Sequence, residues 1–266
     1  IRWKYRAKKC GCRVTAPGPT TLVDGGQYGV NLAVELVVRK FQDQLPWERQ
    51  VKALQRDGLR MAGSTMWNQT RHVANLLEDV YEALRRDIEL GFHRHADETR
   101  WRVLEGVENQ QQFAWLFRNE NHAYFTIEDT RSGKVPLRVM GDAAGALVAD
   151  DYGGYNALVA KNELLRIQCW SHTRRYFTDI QHLEPDIKTY LDLVAKLYLK
   201  DREFKAGPVQ TPAHRRALCG PVIEEIDAWR KRQRCLPKSP MGKALGYMND
   251  NWAGLTAFLD DPDLPL

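Results

Sequence analysis

The sequence predicts a mixed α/β protein: a mixed sheet covered by helices, with helical segments before and after the sheet. Three observations carry that expectation. Between Phe92 and Asp129, three runs alternate apolar and polar residues, and Asn119-Glu120-Asn121 supplies a turn between the last two, as hairpin-joined strands require. Two short apolar runs, ending at Asp150 and Trp170, flank a helical segment from Tyr155 to Asn162, which is the order of a strand–helix–strand unit. Helical periodicity lies on both sides, from Val30 to Ile88 and from Ile187 to Leu259.

In chain order, residues 1 to 13 hold Arg2, Lys4, Arg6, Lys8, Lys9 and Arg13 with no acid among them. Cys10 and Cys12 sit in that run with one residue between them, tighter than the two-residue spacing of a zinc knuckle. The pair reads either as two reduced thiols or as the second half of a zinc ribbon. Thr15-Ala-Pro-Gly-Pro-Thr-Thr is a linker by composition, because its prolines and glycine oppose regular structure. Leu32, Leu36, Val37 and Phe41 mark one face of a helix over Val30 to Phe41, and Leu45-Pro46 ends it. Glu48 to Arg56 reads as a second helix, and Gly58 as a turn. Ser64 is expected to cap a longer helix whose stripe is Met66, Trp67, Val73, Leu76, Leu77, Val80, Tyr81, Leu84 and Ile88. The outline from Trp47 to His72 is that of a helix-turn-helix, with Asn68, Gln69, Arg71 and His72 as groove-facing candidates; plain helical packing explains it as well.

The chemistry concentrates in the sheet. Asp97, in HADET, and Asp150, in LVADDYGGY, are placed at the ends of strands on a rigid platform. Two such carboxylates suit Mg²⁺, a hard cation that takes oxygen ligands and a phosphate substrate, and two ions would serve phosphoryl transfer. Aspartate is also an ordinary residue at turns and strand ends. Cys169-x-x-His172 supplies half of a zinc site, or positions Arg174 and Arg175 against phosphates, or is a buried cysteine beside a helix-capping Ser171. Residues 181 to 240 read as a helical insertion punctuated by Pro208, Pro212, Pro237 and Pro240, with a helix over Leu218 to Arg232. Residues 243 to 259 return to the core.

The net charge is +5, from 39 Lys plus Arg against 34 Asp plus Glu, and a second basic cluster holds Arg230, Lys231, Arg232 and Arg234. Such clusters suit a polyanion, although solvated surface charge looks the same in sequence. Hydrophobic content of 43% and charged content of 27% are those of a globular protein, with no apolar run of membrane-spanning length and no signal peptide at the start. Five scattered cysteines argue against a secreted disulfide framework, and a chain opening on Ile1 points to a start upstream.

HADET, LVADDYGGY, CWSHTRRYF and LPKSPMGKALGYMNDNWAGLTAFLDDPDLP, in that order, resemble the bacterial transposases of insertion sequence family sixty-six. The similarity covers nearly the whole chain, and KYRAKKCGCRVTAPGPT is similar to the end of that family's zinc-binding segment. The resemblance implies a ribonuclease H-like core with a DDE triad of metal-binding carboxylates, served by Mg²⁺ or Mn²⁺, and zinc in the intact N-terminal segment. Implied partners are DNA (transposon ends and target), further copies of the chain on that DNA, and small accessory proteins of the same element, in a cytoplasmic, nucleoid-associated setting. The implied organisation is a zinc-segment remnant over 1–15, a helical DNA-binding region over 16–90, the first part of the catalytic core over 91–180, a helical insertion over 181–242 and the start of a final core helix over 243–266.

Asp97 matches the family's first acid and Asp150 its second, and Cys169 and His172 match its Cys-x-x-His. Asp151 stands where glycine is usual, which aspartate tolerates even if the position needs positive φ. The third acid, a Glu in an Asn-Asn-x-x-Glu-Arg context, falls beyond Leu266, and Glu224 and Glu225 lie in the wrong context to replace it. The expectation is therefore a transposase truncated at both ends. Its rivals are a ribonuclease H-like nuclease and a catalytically inactive DNA-binding remnant.

Overall fold

The computed structural model describes residues 4–18, 20–23, 25–103 and 111–266; Ile1 and Arg2 of the basic start and Pro19 of the expected linker lie outside them. The chain forms two compact units, Ile1–Glu82 and Ala83–Leu266.

The first unit opens with a short antiparallel hairpin, β1 (Lys4–Arg6) and β2 (Arg13–Thr15), that sets Tyr5 opposite Val14 and carries Cys10 and Cys12 in its loop. Three helices follow: α1 (Val30–Phe41), α2 (Trp47–Arg56) and α3 (Gly63–Leu76). Leu36, Met61 and Met66 form their core, with Leu32, Trp47, Val51 and Leu54 packed around it. The buried Gln50 amide closes the α1–α2 turn by donating to the carbonyls of Leu36 and Leu45, at 3.4 and 3.0 Å.

The long helix expected from Ser64 is two helices. The Leu77 amide folds back onto Val73 and Ala74, ending α3, and α4 (Glu78–Leu90) begins with Glu78 and Asp79. Acids favour the positive end of a helix dipole, so this pair starts a new helix where the apolar stripe alone reads as continuous. Ser64 is not the cap either; Ala62 holds that position and no side chain caps the helix. Of the expected stripe, Met66 and Ile88 are buried, whereas Trp67, Leu76, Leu77 and Val80 are exposed.

The second unit contains β3 (His93–Arg102), β4 (Gln111–Arg118), β5 (Ala123–Glu128), α5 (Lys134–Val139), β6 (Ala146–Ala149), α6 (Asn156–Asn162) and β7 (Leu165–Gln168). Its five-stranded sheet has the order β5-β4-β3-β6-β7, with β3, β4 and β5 antiparallel and β6 and β7 parallel to β3. This is the mixed sheet that the sequence predicts, in the arrangement of a ribonuclease H-like core. Alternation along the strands serves two cores. Ala96, Trp115, Phe117, Leu147 and Ala149 face one, with α5 and α6; Ala146, Val148 and Ile167 face the other.

Arg94, fully buried in β3, anchors the strand by donating to the carbonyls of Ile88, Glu89, Gly91 and Ala144. It satisfies the free carbonyls at the end of α4, which would otherwise be unpaired in the interior.

The second core is built by α7 (Trp170–Ile180), α8 (Ile187–Ala206), α9 (Pro212–Arg232), α10 (Pro240–Asp250) and α11 (Trp252–Thr256). Phe177, Tyr190 and Trp229 stack at its centre, with ring centroids 4.3 Å apart between the first two and 4.9 Å between the last two. The Trp170 indole donates to the Leu255 carbonyl at 2.7 Å, tying α7 to α11. Pro212 and Pro240 are the first residues of α9 and α10, where a missing N–H costs nothing, and Thr211 and Ser239 cap those helices. The α9 helix accordingly starts before Leu218 and continues through Pro221.

A candidate carboxylate site on the sheet edge

The strand register sets the site. Parallel pairing places His95 beside Val148 and Ala149 beside Gln168. Continuing the same register to the carboxyl edge brings Asp97 level with Asp150, and Asp150 level with Cys169. Neighbouring strands lie about 4.8 Å apart, so this extension sets Asp97 of β3, Asp150 one residue past β6 and Cys169 one residue past β7 in one row.

Asp97 is exposed and Asp150 half-buried. Each accepts one local backbone hydrogen bond at 3.0 Å, from the Glu98 amide and the Tyr152 amide respectively. Among the described residues neither carboxylate forms an ion pair, so each keeps an oxygen free for a ligand. A cleft of about 130 Å³ opens at Asp97, lined also by His95, Leu116, Val148, Cys169 and His172 and, next to Asp150, by Ala149.

Cys169 holds the N-cap position of α7, and His172 sits in that helix's first turn, its amide bonded to the Cys169 carbonyl at 3.2 Å. Interaction with the Cys169 sulfur as an acceptor, opposed by burial and reinforced by the charges of Cys169, Asp97 and Asp150, biases His172 toward its protonated form. Burial, the largest single influence, raises the Cys169 thiol, but the His172 side chain, the His172 and Ser171 amides and the His172 charge together outweigh it and the net shift is downward. Ser171 caps nothing: its hydroxyl meets that of Tyr198 at 3.2 Å. Arg174 and Arg175 are both exposed on α7, and only Arg174 lines a groove with α8.

Beneath the row lies a network that sequence reasoning missed. Glu98, whose side chain is 1% exposed, points to the opposite face from Asp97 and accepts from Arg131 at 2.8 Å and from the Tyr155 hydroxyl. Burial raises the Glu98 carboxyl, an effect that Tyr155 and Arg131 offset in part. The Arg131 guanidinium stacks 4.0 Å from the Tyr152 ring centre, whose hydroxyl donates to the Arg131 carbonyl. Arg166 lies 4.9 Å over the Tyr155 ring and donates to the Asp150 carbonyl. Glu98 is thus occupied in tying the middle of β3 to Arg131 and Tyr155. The expected strand-end position of Asp97 is corrected with it: β3 runs on to Arg102, so both acids lie within the strand. The partners of Glu98 are 33 and 57 residues away, and nothing in HADET names them.

Other candidates stand apart from this row. Cys10 and Cys12 are exposed free thiols joined by a hydrogen bond, the Cys12 amide donating to the Cys10 sulfur at 3.4 Å. They supply two of the four ligands that structural zinc takes. Among the described residues no group of three or more His, Cys, Asp or Glu side chains converges to hold a metal. Glu225 is paired with Lys196 at 2.7 Å. Asp151 does not need the left-handed backbone: the described non-glycine residues with positive φ are Gln44 and Glu163. In α3, Asn68 and Arg71 are exposed and Gln69 and His72 half-buried. No helix among the described residues is long and apolar enough to cross a membrane.

A ribonuclease H-like sheet with aspartates level at its carboxyl edge defines the structural class. Within it, the chain belongs to the Transposase IS66 family, whose sequence model matches residues 25–266. Relatives include two proteins of Sinorhizobium fredii (strain NBRC 101917 / NGR234). Uncharacterized protein y4jD is 26% identical over 98% of this chain and 56% of its own length, and uncharacterized protein y4qI is 24% identical over 98% and 52%. The chain spans about half the length of these curated relatives.

Proposed function

We propose that this chain is the DNA-processing part of a DDE transposase, cutting and joining DNA strands at the Asp97–Asp150 edge. The observation that carries this reading is the level placement of two carboxylates with uncommitted oxygens, Asp97 within β3, where its pairing with β6 stops, and Asp150 just past the end of β6. Hard oxygen donors of this kind fit Mg²⁺ or Mn²⁺, and Asp97 and Asp150 would hold the ion. When bound, such a metal activates an attacking oxygen and stabilises the leaving one in phosphoryl transfer.

The chain's own residues set the geometry. Arg166 fixes the Asp150 backbone, and the Glu98–Arg131–Tyr155 network fixes β3 beside Asp97, so the two carboxylates stay level. His172, biased toward its cationic form beside both acids, presents a proton donor to a phosphate entering the cleft. The assigned reaction is in-line attack on a phosphodiester, first by water to free a 3′-hydroxyl and then by that hydroxyl on target DNA. The helix-turn-helix outline of α2 and α3, and the basic hairpin before it, would bind transposon ends. Assembly of several copies on DNA and help from accessory proteins belong to the same reading.

Asp97→Asn and Asp150→Asn should each lower Mg²⁺-dependent cleavage of transposon-end DNA by more than about a hundredfold, the upper end seen for outer-shell partners of a metal. Circular dichroism and DNA binding should stay unchanged. Cleavage that survives both substitutions overturns the assignment. DNA binding with no cleavage by the wild-type protein favours the non-catalytic reading, and cleavage without strand transfer favours a nuclease.

A further inference from the structure

A second concave site adjoins the carboxylate cleft on its helical side. It is a groove of about 500 Å³ between α7 and α8, lined by Ser171, Arg174, Ala195, Tyr198, Leu199 and Arg202. Spacing explains the lining. Ser171 and Arg174 are three apart on α7, and Tyr198 and Arg202 are four apart on α8, so each pair shares one face of its helix. The Ser171 and Tyr198 hydroxyls meet across the groove at 3.2 Å. The fully buried Tyr190, within electrostatic range of Arg174 and Tyr198, has a hydroxyl with no partner among the described residues.

The charge in this groove is uncommitted. Three of the four lysines of α8 are neutralised, Lys196 by Glu225 at 2.7 Å, Lys200 by Glu203 at 2.7 Å and Lys205 by Asp201 at 2.8 Å, while Lys188, in the first turn and outside the groove, has no ion pair among the described residues. Arg202 and Arg174 are exposed, and among the described residues neither guanidinium has an ion pair or hydrogen bond. Two free guanidinium groups beside two hydroxyls make a donor set for an anion with several oxygens, and arginine's planar fork matches a phosphate in two-pronged fashion. The groove and the cleft take neighbouring residues from the first turn of α7, Ser171 lining the groove and His172 the cleft.

We propose that this groove binds a backbone phosphate of the DNA strand whose scissile phosphate lies at the Asp97–Asp150 edge. The helical α7–α8 segment then serves as a clamp that sets the strand's path into the cleft. This rests on the transposase reading and adds a phosphate site to it. Arg174 and Arg202 supply the charge, and Ser171 and Tyr198 supply neutral donors.

The test measures binding of a fluorescein-labelled duplex of random sequence by anisotropy over a series of salt concentrations. It compares the wild-type protein, Arg174→Gln/Arg202→Gln, Arg174→Lys/Arg202→Lys, and Lys196→Gln as a control that removes a paired charge from the same helix. Each phosphate that the protein no longer neutralises should flatten the plot of log Kd against log salt by about one unit, so the double glutamine variant, having lost one phosphate contact, should be flatter by about one. The lysine variant should keep the slope with weaker binding, and Lys196→Gln should match wild type. With cleavable DNA, KM should rise in the double glutamine variant while kcat at saturation holds. A double glutamine slope equal to that of Lys196→Gln overturns the groove. If wild type cleaves and the slopes agree, only the groove fails. If wild type binds but never cleaves, the catalytic reading fails while the slopes still judge the groove. If wild type does not bind the duplex, both fall.

Discussion

His95 shows what one strand position does to a side chain. It lines the cleft on β3, and burial, with Arg118, His93 and Lys205 adding charge repulsion, lowers its pKa from 6.5 to about 4. The folded chain therefore refuses a proton that the unfolded chain accepts as pH falls from 6.5 to about 4. Stability should decline through that window and level off below it. Denaturant midpoints at either end of that window should show a larger loss for wild type than for His95→Gln, and an imidazole NMR resonance titrating near the ordinary value would refute this. Asp97 and Glu98 make a related point. They are adjacent acids, yet alternation sends one to an open edge and the other into a network with Arg131 and Tyr155. The motif HADET makes both visible; it does not say which one is free.

At the scale of elements, the turn into β6 depends on one glycine. Gly145 has φ +94°, and a Cβ there would collide with the Phe92 carbonyl oxygen. The close approach lets the Ala146 amide donate to that same carbonyl, and lets the Gly145 carbonyl accept from Leu165, both at 2.9 Å. This knot aligns the starts of β3, β6 and β7, and through them the row of Asp97, Asp150 and Cys169. Gly145→Ala should destabilise the protein by about 3 kcal/mol in urea unfolding, because left-handed backbone and a clash add. Gly246→Ala, in α10 with open space around it, should be neutral or stabilising by up to about 1 kcal/mol. Equal effects at the two sites would remove the argument. Most elements were legible from periodicity, since α1 and the succession of strands along the chain follow from apolar spacing, whereas their order in the sheet does not. The exceptions have local causes: Glu78 and Asp79 start a new helix, and Pro212 opens α9 rather than interrupting the chain.

Across the second unit, one buried residue joins distant segments. Arg215 on α9 is fully buried, bonds Asp201 of α8 at 2.5 Å, and donates to the carbonyls of Asp261, Pro262 and Leu264. It holds the last residues of the chain against α8 and α9 while closing the end of the helical layer. Breaking a buried ion pair by removing one partner is costly, so Arg215→Met should lower stability by about 3 kcal/mol or more in chemical denaturation. Lys205→Met, which removes the exposed partner of the same Asp201, should cost about 1 kcal/mol or less. Equal losses would mean that Arg215 acts only by filling space.

The sequence by itself determined the periods of the helices and strands, the order of the elements, and the motifs that single out Asp97, Asp150, Cys169 and His172. Those are local properties, written in apolar spacing, turn residues and short ordered motifs. Tertiary structure alone decided that Asp97 and Asp150 stand level, that Glu98 turns away to Arg131 and Tyr155, and that Arg174 shares a groove with Arg202. Each of those facts depends on strand register or helix packing between residues dozens of positions apart, and no local pattern carries a register across that distance.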